Sequence, residues 1–166
     1  MPPGPDDHPN VPERIPTGPD VDLSFDALAE REHLGSGGAA DVVKMSVAGT
    51  DAVVAVKQPR AERTLRSEAM AAFVEEANLW AELGDIDHVV GVAGRGETPV
   101  PWLALEYMDG GSLADRRADL SLEAALWTAT CVADGVLDAH RRGVRHHDLK
   151  PGNVLFRSVE GAWDVP

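Results

Sequence analysis

An α+β fold is predicted by three patterns met in chain order. The β-branched run Ala52-Val53-Val54-Ala55-Val56-Lys57 reads as a strand, Ser67 to Leu83 as a helix, and Ser121 to Arg142 as a longer helix that leads through a polar loop into a second apolar run, Val154-Leu155-Phe156. At 166 residues the chain has the length of one ordinary domain and can bury a core.

Composition narrows the function classes. The formal net charge is −13, and Lys44, Lys57 and Lys150 are the only lysines. Such acidity disfavours partners that are themselves anionic, so no nucleic acid and no acidic membrane surface is expected. It fits either a high-salt cytoplasm or simply an acidic, solvated face. Cys131 stands alone in an apolar helical pattern, which rules out a disulfide framework and points to a buried thiol in a reducing compartment. The N-terminus is Pro- and Asp-rich rather than basic and then apolar, and no run approaches the ~18 apolar residues of a membrane span. The expectation is a soluble, cytoplasmic, acidic protein. Residues 1–22 form a proline-rich arm expected to be disordered or extended, and the globular part, 23–166, begins where Phe25 and Leu28 offer the first apolar anchors.

The elements follow in order. Gly35, Gly37 and Gly38 fall in Leu34-Gly35-Ser36-Gly37-Gly38-Ala39-Ala40-Asp41-Val42, where glycines let a backbone approach phosphate groups and aim its amides at them. A plain hairpin turn between strands explains the same glycines equally well. The strand that follows ends in Lys57. In the helix 67–83, Phe73, Ala77, Trp80 and Leu83 share a stripe, and Glu76 falls on it, so its carboxylate faces the core and needs a cation there. Lys57 is the obvious partner. Glu75 points to solvent, and the two glutamates exchange roles if the helix turns by one residue. A strand pair joined through Pro99 and Pro101 leads to Trp102-Leu103-Ala104-Leu105-Glu106-Tyr107-Met108. Ser112 caps a short helix with Asp115 completing a capping box, and Ser121 and Gly143 bound the long helix, whose apolar breadth predicts burial on more than one side.

The stretch His146-His147-Asp148-Leu149-Lys150-Pro151-Gly152-Asn153 carries the chemistry. A carboxylate, an ammonium and a carboxamide at this spacing suit phosphoryl transfer: one group to orient a hydroxyl, one cation for phosphate oxygens, one oxygen for Mg²⁺.

This stretch resembles the catalytic loop of protein kinases, His-Arg-Asp-Leu-Lys-Pro-x-Asn, with His147 in the arginine position. The glycine-rich stretch is similar to the kinase Gly-x-Gly-x-x-Gly-x-Val with Ala40 in the third glycine position, and Val54-Ala55-Val56-Lys57 matches Val-Ala-Ile-Lys. The resemblance implies a two-lobe kinase fold: an antiparallel-sheet N-lobe with one regulatory helix, about 23–108, and the beginning of a helical C-lobe, about 109–166. It implies Asp148 as acceptor of the substrate hydroxyl's proton, Lys150 as a contact to the transferred phosphate, and Asn153 as a metal ligand. ATP would lie against Gly35, Ser36, Gly37, Gly38, Ala40, Val42 and Ala55. Lys57, paired with Glu76, would hold its α- and β-phosphates, Leu105 would line the pocket, and the backbone of Glu106 and Met108 would bind adenine. The implied function is ATP- and Mg²⁺-dependent transfer to a serine or threonine hydroxyl of a protein, since lysine two residues after the aspartate is the serine/threonine form. A complete kinase domain needs about 250 residues, and no Asp-Phe-Gly occurs in the chain. The expectation is therefore a C-terminally truncated domain, inactive by itself. A non-catalytic ATP-binding or scaffolding module and a small-molecule phosphotransferase of the same broad fold are the alternatives.

Overall fold

A computed structural model describes residues 10–18, 23–36, 40–60, 67–83 and 86–166. Gly37 and Gly38 lie outside the described residues, as do 1–9 and 19–22 of the arm. The chain forms two units, one made of Gly18–Gly84 with Val90–Tyr107 and the other of Met1–Thr17, Asp85–Val89 and Met108–Pro166.

The first unit is a sheet of five strands: β1 (Leu28–Ser36), β2 (Ala40–Val47), β3 (Val53–Pro59), β4 (Val92–Gly96) and β5 (Trp102–Glu106), in the order β1-β2-β3-β5-β4. Every neighbouring pair is antiparallel. Period-two alternation divides the apolar residues between its faces. Val43, Met45, Val47, Val54, Val56, Trp102 and Ala104 pack on one side, covered by Leu23, Phe25 and Leu28. The two anchors read in the sequence, Phe25 and Leu28, are thus the lid of a core. On the other side Ala40 and Leu103 meet Phe73 and Ala77 of α1 (Ser67–Glu82), with Trp80 and Leu105 at the margin. The predicted stripe of that helix is its buried stripe. The sheet-with-one-helix arrangement expected for the first part of the chain is therefore present.

The second unit holds a short helix, α2 (Leu113–Arg116), and α3 (Leu122–Arg141). Ser112 caps α2 in a complete capping box with Asp115. The Ser121 side chain accepts from the Ala124 amide, 3.2 Å away, at the start of α3. Gly143, at φ +81°, turns the chain out of that helix. The burial expected around α3 is only half realised. Thr128, Cys131 and Gly135 form one buried stripe, while Leu122, Leu126 and Leu137 are exposed. The segment 86–89 meets this helix through His88, which lies against Gly135 and Trp127. A Cβ at Gly135 would lie 2.7 Å from the His88 carbonyl oxygen, so close contact there depends on glycine. His88 also stands edge-on to Trp127, and its Nδ1 is 3.1 Å from the Pro166 carbonyl oxygen. Burial pushes the Cys131 thiol up to about 12, with Asp134 adding to the shift, so the sulfur is an inert core atom.

The end of the chain is more ordered than a polar connection. Phe156 is almost wholly buried, under the Arg116 guanidinium at 4.5 Å, and Arg116 also pairs with Asp164 at 2.6 Å. Arg157 and Val165 exchange backbone hydrogen bonds of 2.8 and 3.0 Å. Residues 10–18 have no helix or strand, and two of their carbonyls are held by the end of the chain. The Asn10 carbonyl accepts from the Trp163 amide and the Thr17 carbonyl from Arg157 Nη1.

Candidate active site

In the sheet unit, strand register gathers the residues that the sequence singled out. Gly35 lies opposite Val42, Val42 opposite Lys57, and Lys57 opposite Leu103, one row across four strands. Ala55 and Leu105 face each other in the next row on the same side. A Cβ added at Gly35 would meet nothing within 4 Å, so that glycine's small size is not used for packing against protein.

Lys57 Nζ donates to Glu76 Oε1 at 2.7 Å, joining β3 to α1. Glu75 is exposed, as read from the sequence, and since Glu76 is the glutamate that bonds Lys57, the two have not exchanged roles. The pair is not buried in the way the stripe predicted. Lys57 retains 26% of its side-chain exposure and Glu76 45%. Glu76 sits at the edge of the apolar stripe, where its carboxylate reaches past Phe73 toward the lysine instead of entering the core. The Lys57 ammonium also lies 5.9 Å from the Phe73 ring centroid. Leu105 is half-buried and Glu106, the last residue of β5, is buried, its amide donating to the Gly91 carbonyl at 2.9 Å.

In the helical unit, the loop after α3 is shaped by its own contacts. His147 adopts φ +58°. The Asp148 amide is 2.8 Å from the His146 carbonyl oxygen and 3.2 Å from His146 Nδ1, so His146 braces the turn from below. Pro151–Asn153 forms one 3₁₀ turn, started by proline at a position where no amide is needed. That turn carries Asn153 back over Asp148. Asn153 Nδ2 donates to the Asp148 carbonyl oxygen at 2.8 Å and to Asp148 Oδ2 at 3.0 Å, while Lys150 Nζ donates to the same Oδ2 at 2.7 Å. These bonds, the Lys150 one foremost, hold the Asp148 carboxyl below the usual carboxylate range. Asp148 is therefore an ionised, oriented acceptor at neutral pH, and it remains 64% exposed. The Asn153 bonds use Nδ2, and its Oδ1 takes part in neither.

Each unit thus brings its own predicted residues together: Gly35, Val42, Ala55, Lys57, Glu76 and Leu105 in one, Asp148, Lys150 and Asn153 in the other. Sequence reading missed a polar cluster at the mouth of the glycine-rich hairpin. Asp41 accepts there from Ser36 and from Arg60. Ser36 and Asp41 flank the glycine pair, so pairing of the two strands sets them opposite each other, and that was the available signal.

Comparison with known proteins adds a family and a fold. The protein kinase domain family matches residues 28–162. The chain is 33% identical over 131 residues to serine/threonine-protein kinase PknJ of Mycobacterium tuberculosis, across 77% of this chain and 22% of that protein. It is 35% identical over 148 residues to the serine/threonine-protein kinase drp72 of Corynebacterium efficiens, across 84% of this chain and 27% of that protein. The crystal structure of the Mycobacterium tuberculosis PknI kinase domain superposes with a TM-score of 0.63 at 27% identity, covering 82% of this chain and 58% of that one. The chain spans about a quarter of the length of these curated relatives, 22% and 27%.

Proposed function

The chain belongs to the protein kinase family and shares its fold, and on that premise we propose that it carries the nucleotide-binding and phosphoryl-transfer residues of an ATP-dependent serine/threonine protein kinase. The observation that carries this reading is the Asp148 carboxylate, fixed by Lys150 at 2.7 Å and Asn153 at 3.0 Å on one oxygen. A carboxylate so held is a weak base. Phosphoryl transfer through a loose transition state asks little more of it than to orient the attacking hydroxyl and to accept the proton late, as the new P–O bond forms. Lys150 then offers its ammonium to the phosphoryl oxygens as the hydroxyl displaces it from the carboxylate. Lys57, held by Glu76, neutralises the α- and β-phosphates. The open space over Gly35 admits the phosphate chain, with Val42, Ala55 and Leu105 supplying the apolar surface for adenine and the backbone of Glu106 and Met108 its polar edge.

The donor set fits Mg²⁺. Asn153 Oδ1 is a hard oxygen donor that neither of the residue's bonds to Asp148 uses. Asn153 is the residue that would ligate the ion, alongside nucleotide phosphate oxygens. When bound, Mg²⁺ supplies charge neutralisation of the β- and γ-phosphates. The proposed acceptor is a protein hydroxyl, as the names of the relatives indicate for those proteins. The proposed setting is the cytoplasm, where ATP is available.

The test has two stages. Titration of the chain with MgATP should show binding that Lys57→Met weakens at least tenfold, roughly the loss of one charge-assisted contact. Transfer of labelled phosphate in a full-length context should then reach a generic protein substrate and not an aminoglycoside or a lipid alcohol. A chain that binds no nucleotide would end this reading, and transfer to the small acceptors alone would replace it with a small-molecule phosphotransferase.

A further inference from the structure

At the end of β1, the start of β2 and just beyond β3, four polar side chains meet at one point. Ser36 Oγ donates to Asp41 Oδ1 at 2.6 Å, and Arg60 Nε donates to the same oxygen at 3.1 Å. His33 Nε2 stands 3.1 Å from Ser36 Oγ and 4.0 Å from Asp41 Oδ1. Ser36 and Asp41 are a registered pair across β1 and β2, and Asp41 pairs with Gln58 across β2 and β3, two residues before Arg60. One carboxylate oxygen therefore ties together three successive strands. The Ser36 hydroxyl foremost, then Arg60, holds the Asp41 carboxyl below the usual range, so it is charged and accepting at neutral pH.

Stability does not account for such a cluster. His33, Asp41 and Arg60 are each more than a third exposed, and ion pairs in that setting contribute little to folding. The adjacent rows of the sheet already have buried side chains to secure them, Val43 and Val56 on one face and Ala40 on the other. What the apolar residues do not specify is the separation of the two strand ends. A hairpin mouth without a cross-strand tether can splay or close, and Ser36 and Asp41 are the residues on either side of that mouth.

We propose that Asp41 is a positioning residue for the nucleotide's phosphates: by holding Ser36 across the hairpin and Arg60 beyond β3, it sets the spacing of the ends of β1 and β2 beside the Gly35–Val42 pair. Arg60 is its anchor just past the end of β3, the strand that carries Lys57, so the tether places the Gly35 backbone and the Lys57 ammonium in one frame. The inference rests on the nucleotide reading of this hairpin. Its signature is selective: a preset spacing matters for a ligand with phosphates and not for the nucleoside alone.

The test is a pair of titrations on the whole chain, with MgATP and with adenosine. Asp41→Ala is expected to weaken MgATP binding about tenfold and to change adenosine binding less than about twofold. Arg60→Ala should give a smaller loss of the same kind, and the double variant should bind MgATP no worse than Asp41→Ala, because both act through one oxygen. Asp41→Glu, which keeps the charge and the acceptor, should recover part of the affinity. Thermal unfolding identifies any variant that fails to fold, and Asp41→Asn, which retains an acceptor for Ser36 while losing the charge, then carries the same comparison. Equal weakening of both ligands would reduce the cluster to a structural contact. Wild-type affinity for MgATP in Asp41→Ala would overturn the inference while leaving the proposed function standing. Wild-type protein that binds adenosine but gains nothing from the phosphates would overturn both.

Discussion

Lys57 and Glu76 are 19 residues apart and meet at 2.7 Å, whereas Asp148 and Lys150 meet at the same distance across two residues. The first pair exists only because β3 and α1 are seated on a shared core of Phe73, Ala77 and Leu103, so its geometry inherits the precision of a packed sheet. The second is made within a loop whose own turn, started by Pro151, returns Asn153 to Asp148. A long-range pair can be broken by damage far away, while a local turn can be broken only from within. The two units therefore differ in what a substitution does to them. On the proposed function, the sheet unit should answer through stability and ligand affinity, and the helical loop through phosphoryl transfer.

The largest contrast should come from Asp148→Asn. Transfer in a full-length context is expected to fall about 10²–10⁴-fold, the scale of a lost proton acceptor, while the MgATP dissociation constant changes less than about twofold. Parallel loss of binding and turnover, measured by titration and initial rates, would make Asp148 a structural residue and erase the distinction between the units. Leu103→Ala comes next. Leu103 is 1% exposed between β3, β4 and α1, so its truncation should cost about 2–5 kcal/mol in denaturant unfolding. Leu126→Ala in α3, at 61% exposure, should stay within about 0.5 kcal/mol. Comparable losses at the two positions would mean that α3 is covered in solution.

Lys57→Met and Glu76→Gln should each weaken MgATP binding, and in a double-mutant cycle they should be non-additive by about 0.5–3 kcal/mol. Neither should shift the unfolding free energy by more than about 1 kcal/mol, because the pair is part-exposed. Additive effects on affinity would dissolve the pair as a functional unit. The smallest effect is in titration. Because Lys150 and Asn153 depress the folded-state value of Asp148, the stabilising interaction is present above its unfolded value and is lost as pH falls through the depressed one. Asp148 should therefore stay ionised throughout the neutral and mildly acidic range. Carboxyl NMR should find its midpoint below that of an ordinary aspartate, and Lys150→Met should move it upward. A midpoint unaffected by Lys150→Met would assign the shift to Asn153 instead.

Much of this was legible before any coordinates. The local features were, because residues a few positions apart carry their own geometry: the Ser112 and Ser121 caps, the Gly143 helix end, the Phe73–Ala77 stripe and the turn holding Asp148, Lys150 and Asn153. Glu76 was matched to Lys57 by a demand of charge, and its exposure was misjudged because a helical period gives the direction of a side chain and not the depth of the groove it enters. The α3 face with Leu126 and Leu137 was misjudged for a related reason. An apolar stripe shows what could be buried, and only the packing partner decides what is.

Sequence alone settled the alphabet of the site: which residues carry charge, where the backbone is freed by glycine, which turns must form, and that no disulfide can assist a chain with the lone Cys131. These are properties of a residue and its near neighbours, and they act over one or two turns of backbone. Tertiary structure decided what lies far apart in the chain. It ordered the strands β1-β2-β3-β5-β4, aligned Gly35, Val42 and Lys57 in one row, and joined Ser36, Asp41 and Arg60 on a single oxygen. It also bound Asn10 and Thr17 to the far end of the chain. Such contacts depend on strand register and on which faces find a partner, and register is selected by the whole buried face at once rather than by any residue in it.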